Sequence, residues 1–220
     1  MRGEREGRSF FSKKSSPRKT PMFIDCIPAG PVRANCYILG AEGSPDRVVI
    51  DPGGQADKLK AALKGCRVEA ILLTHGHFDH IGAVDALCDE NTKVYIHEND
   101  LPLLTDSALN AAAFMGMDVT VRHPAIGLKE GDAVTAAGLT FTCLHTPGHT
   151  PGGACWLLGE DLFTGDTLFQ HSYGRTDLYG GDFSTLMVSL MRLLKMEGDL
   201  NIHPGHEGDT TLKAEQEHFL

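Results

Sequence analysis

The chain has no Cys-x-x-Cys pair, and no apolar run nears the roughly 18 residues that a membrane-spanning helix requires. The second absence excludes a helical membrane span. The first removes the usual thiolate frame for a structural metal or redox centre. The six cysteines (Cys26, Cys36, Cys66, Cys88, Cys143 and Cys155) sit mostly inside apolar runs. They read as buried free thiols of a reducing cytoplasm, not as a disulfide framework. Basic residues are also scarce, with 20 Lys and Arg against 29 Asp and Glu. Seven of the 20 fall in the first 20 residues beside two Glu, so the remainder carries 13 basic and 27 acidic residues. An acidic body excludes general nucleic-acid binding, which needs basic surface to displace counterions from phosphates. The basic opening segment has no apolar core beyond Phe10-Phe11, so it lacks a secretory signal's central region. Residues 1–21 are therefore expected to be a disordered leader and 22–220 a single domain, long enough to bury a core without disulfides.

What the chain does contain is alternation. "MFIDCIP", "ANCYIL" and "RVVID" have strand composition and are separated by Gly and Pro. "QADKLKAALKG" has helical spacing and closes on Gly65. "VEAILLT" is almost continuously apolar, as expected of a central strand covered on both faces. "IGAVDALCDE" predicts a helix, "KVYI" a strand and Glu98 to Leu104 a short helix. Residues 105–130 show no clean period and are expected to form an active-site loop or a marginal helix. "GLTFTCLH", "GGACWLLG" and "DLFTGD" predict strands, and "DFSTLMVSLMRLLKM" predicts a helix. Strands alternating with helices predict an α/β layered domain.

At the end of the central strand stands "THGHFDH", with His75, His77, Asp79 and His80 inside six residues. Residues i and i+2 of an extended chain point to one side, so His75 and His77 can converge on one ion. Asp79 and His80 follow where the chain turns into a helix and can diverge toward a second position. A carboxylate there is also favoured by the helix N-terminus. A catalytic zinc usually takes three protein ligands plus water, so two sites need further donors. His149 in "TPGHTPGG", Asp166 in "FTGDTLF" and His206 in "HPGH" each follow a strand and precede a turn, where open α/β sheets present ligands. A solitary loop histidine is usually solvated or a core hydrogen-bonder, which covers His97, His123, His145, His171, His203 and His218. Asp51, closing "VVIDPGG", is expected either to fix its turn or to orient a metal-bound histidine.

"THGHFDH", "TPGHTPGG", "FTGDTLF" and "HPGH", in this order, closely resemble the metallo-β-lactamase superfamily. "GDTLFQHSYGRTDLYGGD" and "TTLKAEQEHFL" look most like its glyoxalase II group, the hydroxyacylglutathione hydrolases. The resemblance implies a four-layered αββα sandwich with two divalent metal ions, zinc first, iron or manganese as alternatives. It implies one ion on His75, His77 and His149, a second on Asp79, His80 and His206, and Asp166 bridging. The implied reaction is attack of metal-activated hydroxide on a small-molecule thioester, an S-acylglutathione such as S-lactoylglutathione, with Asp79 orienting the nucleophile or taking a proton. Arg175 occupies the place of a lysine that contacts glutathione in longer members, with pairing to Asp177 or Asp182 as the structural alternative. Only 14 residues follow His206 here, so the contacts that a C-terminal helical domain makes to glutathione in longer members are not expected. Two further readings stay open: a mononuclear iron persulfide dioxygenase on His75, His149 and Asp166, and a hydrolase of another ester or lactone.

Overall fold

The computed structural model describes residues 21–220, which build two six-stranded sheets. The first comprises β1 (Met22–Ala29), β2 (Ala34–Ala41), β3 (Asp46–Ile50), β4 (Arg67–Leu72), β5 (Lys93–His97) and β6 (Ala125–Leu128), side by side in chain order. Its first three strands pair antiparallel, and β3 to β6 run parallel. The second comprises β7 (Ala133–Ala136), β8 (Leu139–His145), β9 (Ala154–Leu158), β10 (Asp161–Gly165), β11 (Asn201–Pro204) and β12 (Thr210–Thr211), again in chain order. Only β10 and β11 are parallel there. Of the expected leader, all but Pro21 lies outside the described residues; the Pro21 carbonyl accepts from the Glu42 amide at 2.9 Å.

The period of two along each strand makes the layers. Val48, Ile50, Ala70 and Leu72 face inward and pack with Phe141, Trp156 and Phe163 of the second sheet. Val49, Ile71 and Leu73 face outward and are covered by Leu59 of α1 (Ala56–Ala62), Ile81 of α2 (Phe78–Ile81) and Val84 of α3 (Val84–Leu87). On the far side, Cys155, Leu162 and Ile202 meet Leu190 and Leu193 of α4 (Phe183–Leu193) and Leu212 of α5 (Leu212–Phe219). The order is helix, sheet, sheet, helix: the αββα sandwich. "VEAILLT" is almost continuously apolar because Ala70 and Leu72 are buried on one face and Ile71 and Leu73 on the other. No helix among the described residues is long and apolar enough to cross a membrane.

Three elements differ from the sequence expectation. The helix expected over Ile81–Glu90 is two four-residue turns, α2 and α3. The Ala83 amide between them donates to the Pro52 carbonyl at 2.8 Å instead of to its own helix. Glu98–Thr105 is a 3-10 helix with Pro102 inside it, a residue that has no amide to donate. Residues 105–130 contain a 3-10 turn at Ala113–Met115 and the strand β6, and β7 and α5 had no strong pattern in the sequence.

The sheets are tied at one edge. The Asn35 amide donates to the Gly205 carbonyl and the Tyr37 hydroxyl to the Pro204 carbonyl, both at 2.7 Å. The Trp156 indole N–H donates to the Leu73 carbonyl at 3.2 Å, and the Ala154 amide to the Thr74 carbonyl at 2.8 Å. Near the same edge, His203 stacks on Phe163 and sits 3.1 Å from Asp161 and 3.2 Å from Asp209.

Burial lowers the His203 pKa, but Asp209 and Asp161 outweigh it and leave a net rise above 6.5. A raised folded pKa gives stability that is full below the unfolded value and lost as pH rises through the folded one. His203→Gln is therefore expected to lower Tm more at pH 5.5 than at pH 8.5. Equal losses at both pH values, read by thermal melts, would remove the charged pair from the account.

Candidate metal centre

All seven ligand candidates of the sequence meet at this edge, each beyond the C-terminal end of a strand. His75 and His77 follow β4, and Asp79 and His80 lie in α2, which begins earlier than expected. His149 follows β8, Asp166 directly follows β10, and His206 follows β11. His75, His77, Asp79, His80 and His149 are buried. His75, His77 and His149 form one group with converging ligand atoms, and Asp79, His80 and His206 another. The six other histidines stay outside both groups: His97 stacks on His145, His171 on His218, and His123 contacts the Thr92 carbonyl.

Neighbours fix which ring nitrogen faces the centre. His75 Nδ1 lies 3.0 Å from Thr74 Oγ1, His80 Nδ1 3.0 Å from Asp51 Oδ2, and His149 Nδ1 2.7 Å from the Arg175 carbonyl. Each pairing leaves Nε2 for the centre. His77 presents Nδ1, 2.9 Å from His149 Nε2. Asp166 stands between the groups: Oδ1 is 3.4 Å from His80 Nε2, and Oδ2 is 3.4 Å from His149 Nε2 and 3.6 Å from His206 Nε2. Asp79 Oδ2 is 3.3 Å from His206 Nε2 and 3.6 Å from His80 Nε2. Nε2 of His75, His77 and His80 and Oδ1 of Asp166 are buried without a hydrogen-bond partner among the described residues. Leaving four such atoms unsatisfied is costly. Nitrogen and carboxylate donors that converge in this way fit divalent cations.

The electrostatics divide in the same way. Burial, reinforced by neighbouring imidazoles, pushes the His75 pKa well down and that of His77 to about 3. Both rings are thus neutral, the form that binds metal. At His80 burial also disfavours charge, yet Asp79, Asp166 and Asp51 outweigh it and raise the pKa to about 10. Burial pushes Asp79 up, but His80 and His206 hold it below the usual carboxylate range. One half of the centre therefore keeps its imidazoles neutral, and in the other the carboxylates favour positive charge.

The supporting residues were less visible in the sequence. Asp51 stands where either expectation for it places it. At φ 51° it shapes the turn, and its carboxylate accepts from the Thr74 amide at 2.8 Å and hydroxyl at 2.6 Å besides facing His80. Asp100 had no signal at all. Fully buried, it accepts from the Gly76 amide at 2.9 Å, the Thr150 hydroxyl at 2.7 Å and the Gly152 amide at 2.6 Å. It thereby pins the His75–His77 turn to the His149 loop. Gly205 is small by necessity: a Cβ there would overlap Asp166 Oδ1 and come within 2.8 Å of His80 Cε1.

A cavity of about 390 Å³ opens over the centre and reaches Phe114, Met115 and Arg175. The Arg175 guanidinium is held by Asp177 through two hydrogen bonds of 2.6 and 2.7 Å, so the pairing considered as its structural alternative is present.

A family model described as the metallo-beta-lactamase superfamily matches residues 29–206. The chain is 39% identical over 199 residues to "Probable metallo-hydrolase YqgX" of Bacillus subtilis, covering 87% of this chain and 93% of that protein. It is 34% identical over 204 residues to "Hydroxyacylglutathione hydrolase GloC" of Haemophilus influenzae, covering 89% and 95%. Among solved structures, the BLEG-1 B3 metallo-beta-lactamase superposes with a TM-score of 0.83 at 40% identity, covering 89% of this chain and 97% of that one. TTHA1623 in a di-iron-bound form superposes with a TM-score of 0.77 at 40% identity, covering 87% and 96%.

Removing the carboxylate that orients His80 should loosen metal binding without touching a converging donor. Asp51→Ala is expected to weaken metal retention by about 10- to 100-fold, read by chelator competition. Unchanged retention would mean that the Thr74 contacts alone hold the turn and His80.

Proposed function

This chain belongs to the metallo-beta-lactamase superfamily, and from that premise we propose that it is a dinuclear hydrolase of thioesters. The observation that carries the proposal is Asp166, whose two oxygens face nitrogen donors of both groups. His75, His77 and His149 would hold one divalent ion and Asp79, His80 and His206 the other, with Asp166 between them. Zinc, iron and manganese all suit these donors. Ions bound there would bring a water near pKa 7 and draw charge from the scissile carbonyl. Asp79, in the first turn of α2, would orient the attacking water or accept its proton. The water oxygen joins the acyl carbon, the C–S bond breaks, and the thiol leaves as a thiolate. An ordinary thiol pKa near 8.5 makes that departure far easier than expulsion of an amide nitrogen.

The thiol proposed is glutathione, by likeness to the Haemophilus influenzae relative, and S-lactoylglutathione is the reference substrate for testing. Arg175 would bind a carboxylate of the thiol, exchanging Asp177 for it with the same two-pronged geometry. The proposed setting is the cytoplasm, and no nucleic acid or membrane partner is invoked.

Elemental analysis of active protein should find about two metal equivalents per chain, with hydrolysis lost on chelation. Asp166→Asn is expected to lower both metal content and turnover, the latter by at least ~100-fold. A single tightly held iron with oxygen uptake on glutathione persulfide would replace the hydrolase with a persulfide dioxygenase on His75, His149 and Asp166.

Arg175→Ala should raise KM for S-lactoylglutathione roughly tenfold with kcat largely kept, as expected when a remote contact is lost equally from ground and transition states. Asp177→Asn, which frees the guanidinium, should lower KM. If both variants raise KM and lower kcat alike, the pair braces the loop and does not read the substrate.

A further inference from the structure

The rest of the cavity's lining is one-sided. Apart from the converging His and Asp donors, its only polar side chain among the described residues is Arg175, and Asp177 already holds that guanidinium. What remains is apolar, led by Val32, Phe114, Met115 and Phe169. Phe114 is 81% exposed and Met115 52%, two large apolar side chains left in water beside a reactive centre. Monomeric proteins rarely leave such a patch without a use.

The segment that carries them is built, not loose. Asn110 is fully buried, and its side-chain amide donates to the Leu103 carbonyl at 3.0 Å and the Val119 carbonyl at 2.8 Å. Its side-chain oxygen accepts from the Ala112 amide at 3.0 Å, and its main-chain carbonyl accepts from the Phe78 amide at 3.0 Å. Ala111 is held at φ 67°, a region an alanine adopts only when its surroundings impose it. Phe114 and Met115 are thus presented from a turn anchored to the residue that opens α2, one position before Asp79.

We infer that the acyl part of the substrate is a plain apolar chain or ring, seated against Phe114 and Met115. This rests on the thioesterase reading and narrows it. If Arg175 takes the thiol's carboxylate, the acyl group falls to the remaining lining. Among the described residues the remaining lining offers no side chain to pair with a hydroxyl such as lactate carries, so a hydroxyacyl group would gain no side-chain hydrogen bond for those it loses to water. An alkyl chain instead gains apolar contact in a cavity of about 390 Å³, the size of an ordinary small-molecule pocket.

The test uses N-acetylcysteamine, an uncharged thiol, in two parallel series on metal-loaded protein. Acyl thioesters from acetyl to octanoyl are assayed for hydrolysis. Non-cleavable S-alkyl thioethers from ethyl to octyl are assayed for binding by calorimetry. Thioether affinity is expected to rise about two- to fourfold per methylene, with a negative heat-capacity change, until the cavity is filled. The kcat/KM of the thioesters should climb in parallel. Phe114→Ser, at a site too exposed to threaten folding, should cut the octyl-over-ethyl advantage about tenfold. Val188→Ser, on the exposed face of α4, should keep the full gradient. A flat thioether series from a protein that hydrolyses the thioesters would overturn the inference and leave the thioesterase standing. A steep series with no cleavage of any thioester would overturn the thioesterase reading while the apolar seat remained.

Discussion

Everything at the active edge follows from one constraint: buried nitrogen and oxygen atoms brought together with nothing among the described residues to satisfy them. Nε2 of His75 and His80 from the first sheet and Oδ1 of Asp166 from the second are buried at the centre without a hydrogen-bond partner among the described residues, and His77 turns Nδ1 toward His149 Nε2. Such an arrangement is unfavourable by itself, so the surrounding structure has to impose it. Asp51 holds the His80 ring and Thr74, Asp100 ties two loops with three accepted hydrogen bonds, and Gly205 keeps space clear beside Asp166. The two carboxylates use their polar capacity on orientation and leave the converging atoms for a cation.

The two sheets share that work unequally. The first supplies "THGHFDH" and with it four candidates on one short stretch. The second supplies one donor from each of three strand ends. Neither group of three is complete within one sheet: His149 completes the first and His206 the second. Integrity of the centre therefore depends on inter-sheet contacts such as Tyr37 to Pro204 and Ala154 to Thr74.

The seven candidates were legible because each sits where an apolar run stops and a Gly- or Pro-rich turn begins. The layers were legible because the consecutive apolar residues of "RVVI" and the nearly continuous apolar run of "VEAILLT" mark strands covered on both faces. What stayed hidden depends on partners distant in the chain. Asp100 is an ordinary carboxylate until the fold brings Gly152 to within 2.6 Å of it. The expected helix over Ile81–Glu90 breaks because the Pro52 carbonyl captures the Ala83 amide, and no local pattern records that contact. Arg175 was legible as a cation near the site, but its engagement by Asp177 rests on the conformation of an irregular loop.

Trp156 is the chain's single tryptophan, fully buried between the sheets with its indole N–H on the Leu73 carbonyl, two residues before His75. That makes the molecule its own optical probe. Emission from this one indole arises from the layer that joins the two halves, without interference from any second tryptophan. A red shift would mark water entering between the sheets, and because the hydrogen bond ends beside the metal-facing turn, the same signal can follow ion uptake in unlabelled protein.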